Sequence, residues 1–164
     1  MLVGRTVVLD PIDKRILRAV QEDATISMQA LADRVGLTAN PCWRRLKRLE
    51  AEGVIQCRIA VIDAASVGLR MTAFVGIRIS RHDGEWLGAF AAAVRNVAEI
   101  VECHRVSGEL DYLLKVVIED VAHYDRVYQR LISMVPGLID VSTSFSMERL
   151  KETFGVDVST IPES

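Results

Sequence analysis

Residues 38–53, TANPCWRRLKRLEAEG, constrain the fold of this chain more than any other stretch. Thr38 is a residue type that often occupies the N-cap of a helix, and Pro41 lies near the first turn, where a missing N–H removes no hydrogen bond. Gly53 is typical of the position just beyond a helix C-terminus. The stretch therefore predicts a helix that begins after Thr38 and ends before Gly53.

The two sides of this helix differ in character. At about 100° per residue, apolar side chains that need a core fall on one side: Cys42, Leu46 and Leu49. An amide and three cations fall on the other: Asn40, Arg44, Lys47 and Arg48. No acid is interleaved before Glu50 and Glu52, so pairing at i,i+4 does not explain the cations. The alternative is an ordinary amphipathic helix with a solvated charged face.

A shorter helix is predicted just upstream, over residues 27–35, SMQALADRV, with Ser27 as its N-cap. Its apolar side chains share one face: Met28, Leu31, Ala32 and Val35. Gly36 and Leu37 then form a tight turn before the basic helix. Two helices joined by such a turn are typical of the helix-turn-helix, whose second helix enters the major groove of DNA. Thr38 at the start of that helix is included among the candidate DNA contacts.

The flanking segments complete a three-helix unit. Residues 1–9 are expected to be a loose arm, and Asp10 and Pro11 open a first helix with Asp13 in its first turn. Residues 54–63, VIQCRIAVID, alternate apolar and polar side chains and predict a strand or small wing. Arg58 in that segment is placed to touch a DNA phosphate.

Charge is divided unequally along the chain. The net charge of −2 is unusual for a DNA-binding protein until the two parts are counted separately. Residues 1–62 hold ten Lys and Arg against seven Asp and Glu, a net +3, whereas residues 63–164 hold ten against fifteen, a net −5. This distribution indicates that only the first part contacts nucleic acid.

The second half predicts alternating strands and helices after a composition break at residues 64–70. The expected strands are 71–80, 99–108, 109–119 and 138–148, and the expected helices are 84–96 and 121–134, the second ended by Pro136-Gly137. The order βαββαβ specifies a ferredoxin-like sandwich with both helices on one face of the sheet. The fold class is therefore α+β. Residues 1–63 form a winged helix-turn-helix domain, 64–70 a linker, and 71–164 an αβ domain for effector binding and oligomerisation.

Apolar residues occupy both faces of the predicted strands, as Phe74 and Val75 do in the first. Two helices cover only one face of a four-stranded sheet. We therefore expect the other face to pack on a second subunit. A homodimer also suits a helix-turn-helix protein, because two recognition helices then meet two half-sites of double-stranded DNA.

Three segments, in their order and spacing, resemble the Lrp/AsnC family, the leucine-responsive and asparagine-type regulators of bacteria and archaea. LDPIDKRILRAVQED resembles the family's opening helix, LADRVGLTANPCWRRLKRLEAEGVI its helix-turn-helix, and ECHRVSGELDYLLKV the centre of its amino-acid-sensing domain. The resemblance covers about residues 8–152. It implies dimers that assemble into octamers or similar rings, with effector amino acids bound between dimers.

The resemblance also implies roles for individual residues. Positions that match the recognition helix are Asn40, Arg44, Arg45, Lys47 and Arg48. Positions that match the effector turn are Ser107, Gly108, Glu109, Leu110, Asp111 and Tyr112. Val141 and Thr143 match last-strand positions that face the effector in some relatives. Two residues depart from the family pattern: Trp43 replaces a smaller aliphatic residue, and Val141 stands where several relatives have a hydroxyl.

The turn around Gly108 also has a physical rationale of its own. Glycine permits close approach of the backbone. Adjacent N–H groups can hold an α-carboxylate, and Asp111 or Glu109 can pair with an α-ammonium group. The alternative is a plain β-turn with a solvated acid.

Several classes of protein are not expected. His82, His104 and His123 lack partners at metal-ligand spacing, so we expect neither a metal nor a cofactor. The sequence contains neither a GxSxG motif nor a P-loop, so we do not expect an enzyme. No apolar run reaches the roughly 20 residues that span a bilayer. The cysteines, at positions 42, 57 and 103, are odd in number and lie on core-like faces, which fits a reducing cytoplasm.

The sequence thus predicts a sequence-specific transcriptional regulator that binds double-stranded DNA as a homo-oligomer. Its oligomeric state or DNA affinity is expected to respond to a small effector, an amino acid. Two alternatives stay open. One is an architectural protein that wraps DNA without an effector. The other is a stand-alone metabolite-binding or enzymatic αβ domain with an incidental helical appendage.

Overall fold

The computed structural model describes residues 7–79, 84–135 and 138–161. Residues 1–6 of the predicted arm, His82 and the break at Pro136-Gly137 lie outside these ranges. The chain divides into two compact units. Unit 1 extends to Val61 and also contains the segment from Lys151 onward, and unit 2 is Ile62–Leu150. None of the described helices is long and apolar enough to cross a membrane.

Unit 1 contains three helices, which are α1 (Pro11–Glu22), α2 (Met28–Val35) and α3 (Ala39–Ala51). Each begins after the residue that the sequence predicts as its N-cap. Asp10 and Ser27 accept capping hydrogen bonds from N–H groups of the first turn, whereas the Thr38 side chain makes no such bond. Gly36 adopts the left-handed conformation, with φ 75°, in the turn between α2 and α3.

The core of unit 1 is built from the apolar sides of the three helices. Its buried residues include the ones predicted for α3, together with those of α1 and α2: Ile16, Leu17, Ala19, Leu31, Ala32, Val35, Cys42, Leu46 and Leu49. Val158, 3% exposed, packs in the same core although it lies far along the chain.

The segment from Lys151 to Ile161 is held on α1 by three hydrogen bonds. The Gln21 side chain accepts the Val156 N–H at 2.8 Å and donates to the Val156 carbonyl at 3.2 Å. Lys14 Nζ donates to the Ile161 carbonyl at 3.0 Å. This segment was assigned by sequence to the second domain, over residues 71–164. Its contacts instead group it with unit 1, because Val158 packs against the buried side chains of the three helices.

The strand predicted over residues 54–63 does not form within this chain. The N–H groups of Val54 and Ile55 donate to the Leu49 carbonyl at 3.0 and 3.1 Å, which closes the end of α3. Residues 56–63 are not in a strand. A strand needs a neighbouring strand with which to exchange hydrogen bonds. The described residues of unit 1 form helices and an irregular tail, so residues 54–63 have no strand to pair with.

Unit 2 has the predicted order of elements: β1 (Met71–Ile79), α4 (Gly84–Asn96), β2 (Ile100–Arg105), β3 (Tyr112–Ile118), α5 (Val121–Met134) and β4 (Leu138–Phe145). The sheet has the order β2-β3-β1-β4, and every neighbouring pair is antiparallel. This is the ferredoxin-like arrangement. The predicted fold of the second half is therefore confirmed.

The two faces of this sheet differ. Val75, Ile77 and Leu114 lie in the buried core, which also contains Phe90 of α4 and Leu131 of α5. On the other face, Phe74 is 41% exposed, and Leu113 and Val117 are half-buried. An ion pair between Lys115 and Glu102, 2.9 Å long, lies on that same face. The open face is thus mixed, because Lys115 of β3 lies directly opposite Phe74 of β1.

The contribution of the tail to unit 1 is measurable. Val158→Ala should lower the free energy of unfolding of unit 1 by about 2 kcal/mol, because buried methyl groups are lost and a cavity remains. Val156→Ala is the matched control: Val156 is 71% exposed, and its replacement should change stability by less than about 0.5 kcal/mol. Urea unfolding followed by Trp43 fluorescence, in a Trp86→Phe background, reports unit 1 alone. Equal effects of the two substitutions would contradict this role for the tail.

Candidate nucleic-acid interface and effector turn

The outer side of α3 presents the residues that the sequence predicts as DNA contacts. Asn40, Arg44 and Lys47 are exposed, as is Thr38 at the N-cap. Trp43 lies on the same side, one turn from Lys47, and is 51% exposed. Sequence reasoning singled out Trp43 only as a departure from the family pattern, yet it is the largest apolar side chain on this surface.

Asp13 of α1 is buried, with 1% of its surface exposed, and its carboxylate binds two cations of α3. Oδ1 accepts a hydrogen bond from Arg45 Nη1 at 2.9 Å, and Oδ2 accepts one from Arg48 Nη2. Oδ2 also accepts the backbone N–H of Asp10 at 3.2 Å. The Asp10 carboxylate in turn accepts from Arg45 Nη1 at 2.6 Å. Two guanidinium groups thus compensate the buried charge of Asp13.

The same contacts shift the titration of the neighbouring groups. Burial raises the pKa of the Asp10 carboxyl, but hydrogen bonds from the Asp13 N–H and the Arg45 guanidinium outweigh burial and hold that pKa below its ordinary value. Hydrogen bonds to Asp10 and Asp13 raise the pKa of the Arg45 guanidinium. Asp10 and Arg45 are therefore both charged at neutral pH.

The remaining cations of this surface differ in their pairing. Lys47 and Arg58 both bind Glu50, at 2.7 and 3.1 Å. Arg48 also approaches Glu52, at 4.0 Å. Pairing at i,i+4, which the sequence analysis set aside, therefore occurs at Arg48, and Lys47 pairs at i,i+3. Among the residues that the structure describes, Arg44 has no ion pair or hydrogen-bond partner.

An open cleft of about 490 Å³ lies beside Arg44. Its lining comes from the start of α1 and the outer side of α3: Asp10, Pro41, Arg44, Arg45 and Arg48. Three guanidinium groups and a single carboxylate line this cleft, so its net charge is positive and favours an anion.

The predicted effector turn connects β2 and β3. Gly108 has φ 124°, which glycine adopts readily, and Ser107, Gly108 and Glu109 are exposed. Below them the turn is closed by a bond of 3.0 Å from the Val106 N–H to the Asp111 carbonyl. The backbone N–H groups of residues 107–110 donate to no acceptor within the described ranges, so they are available to an anionic ligand.

Asp111 and Leu110 attach this turn to β1. The Asp111 carboxylate accepts the N–H of Ile79 at 2.9 Å, at the point where the β1–β4 register shifts. The Leu110 side chain lies over Gly76, where a Cβ would come within 2.6 Å of Leu110 Cδ1. Tyr112 is buried against Phe90, with ring centroids 4.5 Å apart. Asp111, Leu110 and Tyr112 therefore hold the turn in place, which leaves Glu109 as its exposed acid.

Val141 and Thr143 are placed on the helix-covered face of the sheet, since they pair with Ile77 and Val75. The Thr143 hydroxyl shares a hydrogen bond with the Tyr124 hydroxyl of α5. Ser142 faces the other way, and its Oγ lies beside Leu110 at Gly76. The structure thus brings Ser142 to the effector turn, a residue that the sequence analysis did not select. Register supplies the signal: neighbouring residues of a strand point to opposite faces.

The histidines and cysteines do not form a further site in the described residues. No group of three or more His, Cys, Asp or Glu side chains that suits a metal ion occurs within residues 7–79, 84–135 and 138–161. His104 lies 3.3 Å from Glu102, and His123 lies 3.3 Å from Glu99. Cys42 is buried as expected, whereas Cys57 and Cys103 are exposed and do not lie in a core.

Two families of known domains match the chain. The winged helix-turn-helix DNA-binding family matches residues 9–56, and the Lrp/AsnC ligand binding domain matches residues 72–156. The second match alone covers more than half of the 164 residues. The chain belongs to the Lrp/AsnC family. Both the family and the α+β fold class that the sequence predicts are therefore confirmed.

Individual relatives agree with this Lrp/AsnC assignment. The DNA-binding transcriptional activator DecR of Escherichia coli K12 is 44% identical over 150 residues, which are 92% of this chain and 99% of DecR. An AsnC family transcriptional regulator from Agrobacterium tumefaciens aligns with a TM-score of 0.89 at 42% identity, over 94% of this chain and 100% of that one. A Neisseria meningitidis transcriptional regulator, solved as an L-Met complex, aligns with a TM-score of 0.85 at 32% identity, over 91% and 96%. This Lrp/AsnC chain is a DNA-binding transcriptional regulator.

Proposed function

We propose that this regulator reads double-stranded DNA with the outer side of α3. Arg44 carries the proposal: it is exposed between Asn40 and Lys47, and no residue of the described ranges neutralises it. A cation left unpaired on the exposed side of the second helix of a helix-turn-helix is placed to contact DNA. The regulator acts by binding rather than by catalysis, in the cytoplasm where its DNA lies.

The contacts divide into two kinds. Arg44 has the planar donor pair that recognises guanine, and Asn40 has the amide that recognises adenine in the major groove. Thr38, Lys47 and Arg58 are placed to bind phosphate, which sets register without reading sequence. Arg45 and Arg48 line the cleft beside Arg44 with their guanidinium groups held by acids, so each contacts DNA only with the N–H donors that the acids leave free.

We further propose that the turn at residues 107–110 binds the carboxylate of an amino-acid effector. The unpaired N–H groups suit an anion, and Glu109 is the exposed acid that pairs with an ammonium group. The Neisseria meningitidis regulator, solved with L-Met, supports an amino acid as the ligand class. Asp111 holds the turn through Ile79. Ser142 of β4 lies beside the turn, whereas Val141 and Thr143, its neighbours in that strand, face the helix-covered side and act on the effector only by positioning β4.

A homodimer formed through the open face of the unit 2 sheet completes the proposal. Phe74, Leu113 and Val117 expose apolar surface that the two helices do not cover. A second copy supplies a surface of matching character and brings two α3 helices to one DNA. Assembly of such dimers into an octamer follows the resemblance to the family.

Arg44→Gln tests the DNA-reading side. Affinity for a duplex that the protein selects should fall by about tenfold or more, because a bidentate contact to guanine contributes about 1–3 kcal/mol, and affinity for a scrambled duplex should fall less. Arg15→Gln is the matched control, since Arg15 is an exposed cation of α1, and it should leave the ratio of the two affinities unchanged. Fluorescence anisotropy measures both affinities. Unchanged binding by Arg44→Gln would refute α3 as the DNA-reading helix.

Calorimetry against the twenty amino acids, at two temperatures, tests the effector. At least one should bind, and Glu109→Gln should weaken its binding by about tenfold through loss of the ammonium partner. Glu119→Gln, an exposed acid beyond the opposite end of β3, should bind as the unsubstituted chain does. Absence of heat for all twenty would favour the alternative of an effector-independent DNA-wrapping protein.

Phe74→Asp tests the dimer. An acid on the open face should shift sedimentation to a smaller species, because a buried unpaired charge is costly. Val121→Asp is the control: Val121 is an exposed apolar residue at the start of α5, where an acid is favourable for the helix. Identical sedimentation of Phe74→Asp and the unsubstituted chain would exclude this face as the dimer interface.

A further inference from the structure

One carboxylate of the DNA-binding unit performs three tasks at once. Asp13 completes the capping box of α1 through the Asp10 N–H, binds Arg45 and binds Arg48. Its partners are partly exposed, with 32% and 42% of their side-chain surfaces accessible, whereas Asp13 is 1% exposed. The acid is therefore inside unit 1, and the two cations that it holds are at the surface.

We propose that Asp13 is a positioning residue for DNA recognition, which holds the guanidinium groups of Arg45 and Arg48 in fixed orientations and suppresses their sequence-independent attraction to phosphate. This inference rests on the proposed function, because it requires that α3 contacts DNA. Asp13 itself touches no DNA and acts only through the two arginines.

The first part of the argument concerns charge. A mobile cation on a DNA-binding surface strengthens binding to any duplex, because each phosphate that it neutralises releases counterions. Arg45 and Arg48 already have carboxylate counter-ions within unit 1, at Asp13 and Asp10. They therefore add less to binding of arbitrary DNA than Arg44, which has no such partner among the described residues.

The second part concerns geometry. A guanidinium nitrogen that donates to a buried carboxylate restricts the directions that the remaining donors of the group can take. Arg45 is bound by two carboxylates, Asp10 and Asp13, and this restricts it further. Since α1 and α3 are joined by these bonds, the orientation of α3 in unit 1 also depends on Asp13. Fixed donors discriminate between duplexes better than mobile ones, because they lose less freedom on binding.

The experiment compares Asp13→Asn with Asp33→Asn in the full chain. Asp33 is an exposed acid of α2 whose carboxylate accepts a hydrogen bond from Gln29, so both variants change the charge of unit 1 equally. Each is titrated, over a salt series, with a duplex selected from a random library by the unsubstituted protein and with a scrambled duplex of the same composition. Circular dichroism verifies folding.

Asp13→Asn should steepen the salt slope on the scrambled duplex by about 0.9 for each cation released. The ratio of selected to scrambled affinity should fall by about tenfold, and Asp33→Asn should leave that ratio unchanged. A folded Asp13→Asn protein with the original slope and ratio would overturn the proposal. A lower thermal midpoint with no change in slope or ratio would also overturn it, because it would show that Asp13 only stabilises the fold.

Two charge-conserving variants keep the test decisive if Asp13→Asn does not fold. Arg45→Lys and Arg48→Lys retain the cation but lose the planar fork. They should keep the salt slope and lower the affinity ratio, and an unchanged ratio in both would overturn the proposal. Failure of the proposed function has a different signature, because Arg44→Gln would then bind DNA as the unsubstituted chain does.

Discussion

The negative charge of a carboxylate buried away from water needs cationic partners. In this regulator those partners lie on α3, so the buried acid links α1 to α3. Asp13 is buried at the start of α1, and Arg45 and Arg48 both bind its carboxylate. The apolar side of α3 places Cys42, Leu46 and Leu49 in the core of unit 1. The ion pairs have direction and add to the same rotation, in which the outer side of α3 carries Asn40 and Arg44.

The pairing of cations with acids determines which side chains of the basic helix are available to DNA. From the sequence, its cations form one strip of similar residues, yet the structure divides them by their partners. Arg45 and Arg48 are held by acids of α1, Lys47 and Arg58 share Glu50, and Arg44 has no described partner. The number of cations in α3 therefore overstates the charge available to DNA, because three of the four are paired with acids.

Local patterns made most of the fold predictable, and contacts between distant residues account for what was missed. Caps and apolar periodicity placed α1, α2 and α3, since those signals lie within each helix. The pairing of Asp13 with Arg45 and Arg48 spans 32 and 35 positions and has no periodic signal. At the effector turn, sequence identified Gly108 but assigned Asp111 to a ligand, because the Ile79 N–H that it accepts lies in another strand.

The docking of Val158 on the helices makes unit 1 discontinuous along the chain. Its core closes only after β4 has been synthesised, so a nascent chain that has emerged as far as α3 still lacks the packing of the tail. A fragment cut at residue 63 has the same defect. Unit 1, the first part of the chain to leave the ribosome, therefore gains its last core contact only after the rest of the polypeptide has been synthesised.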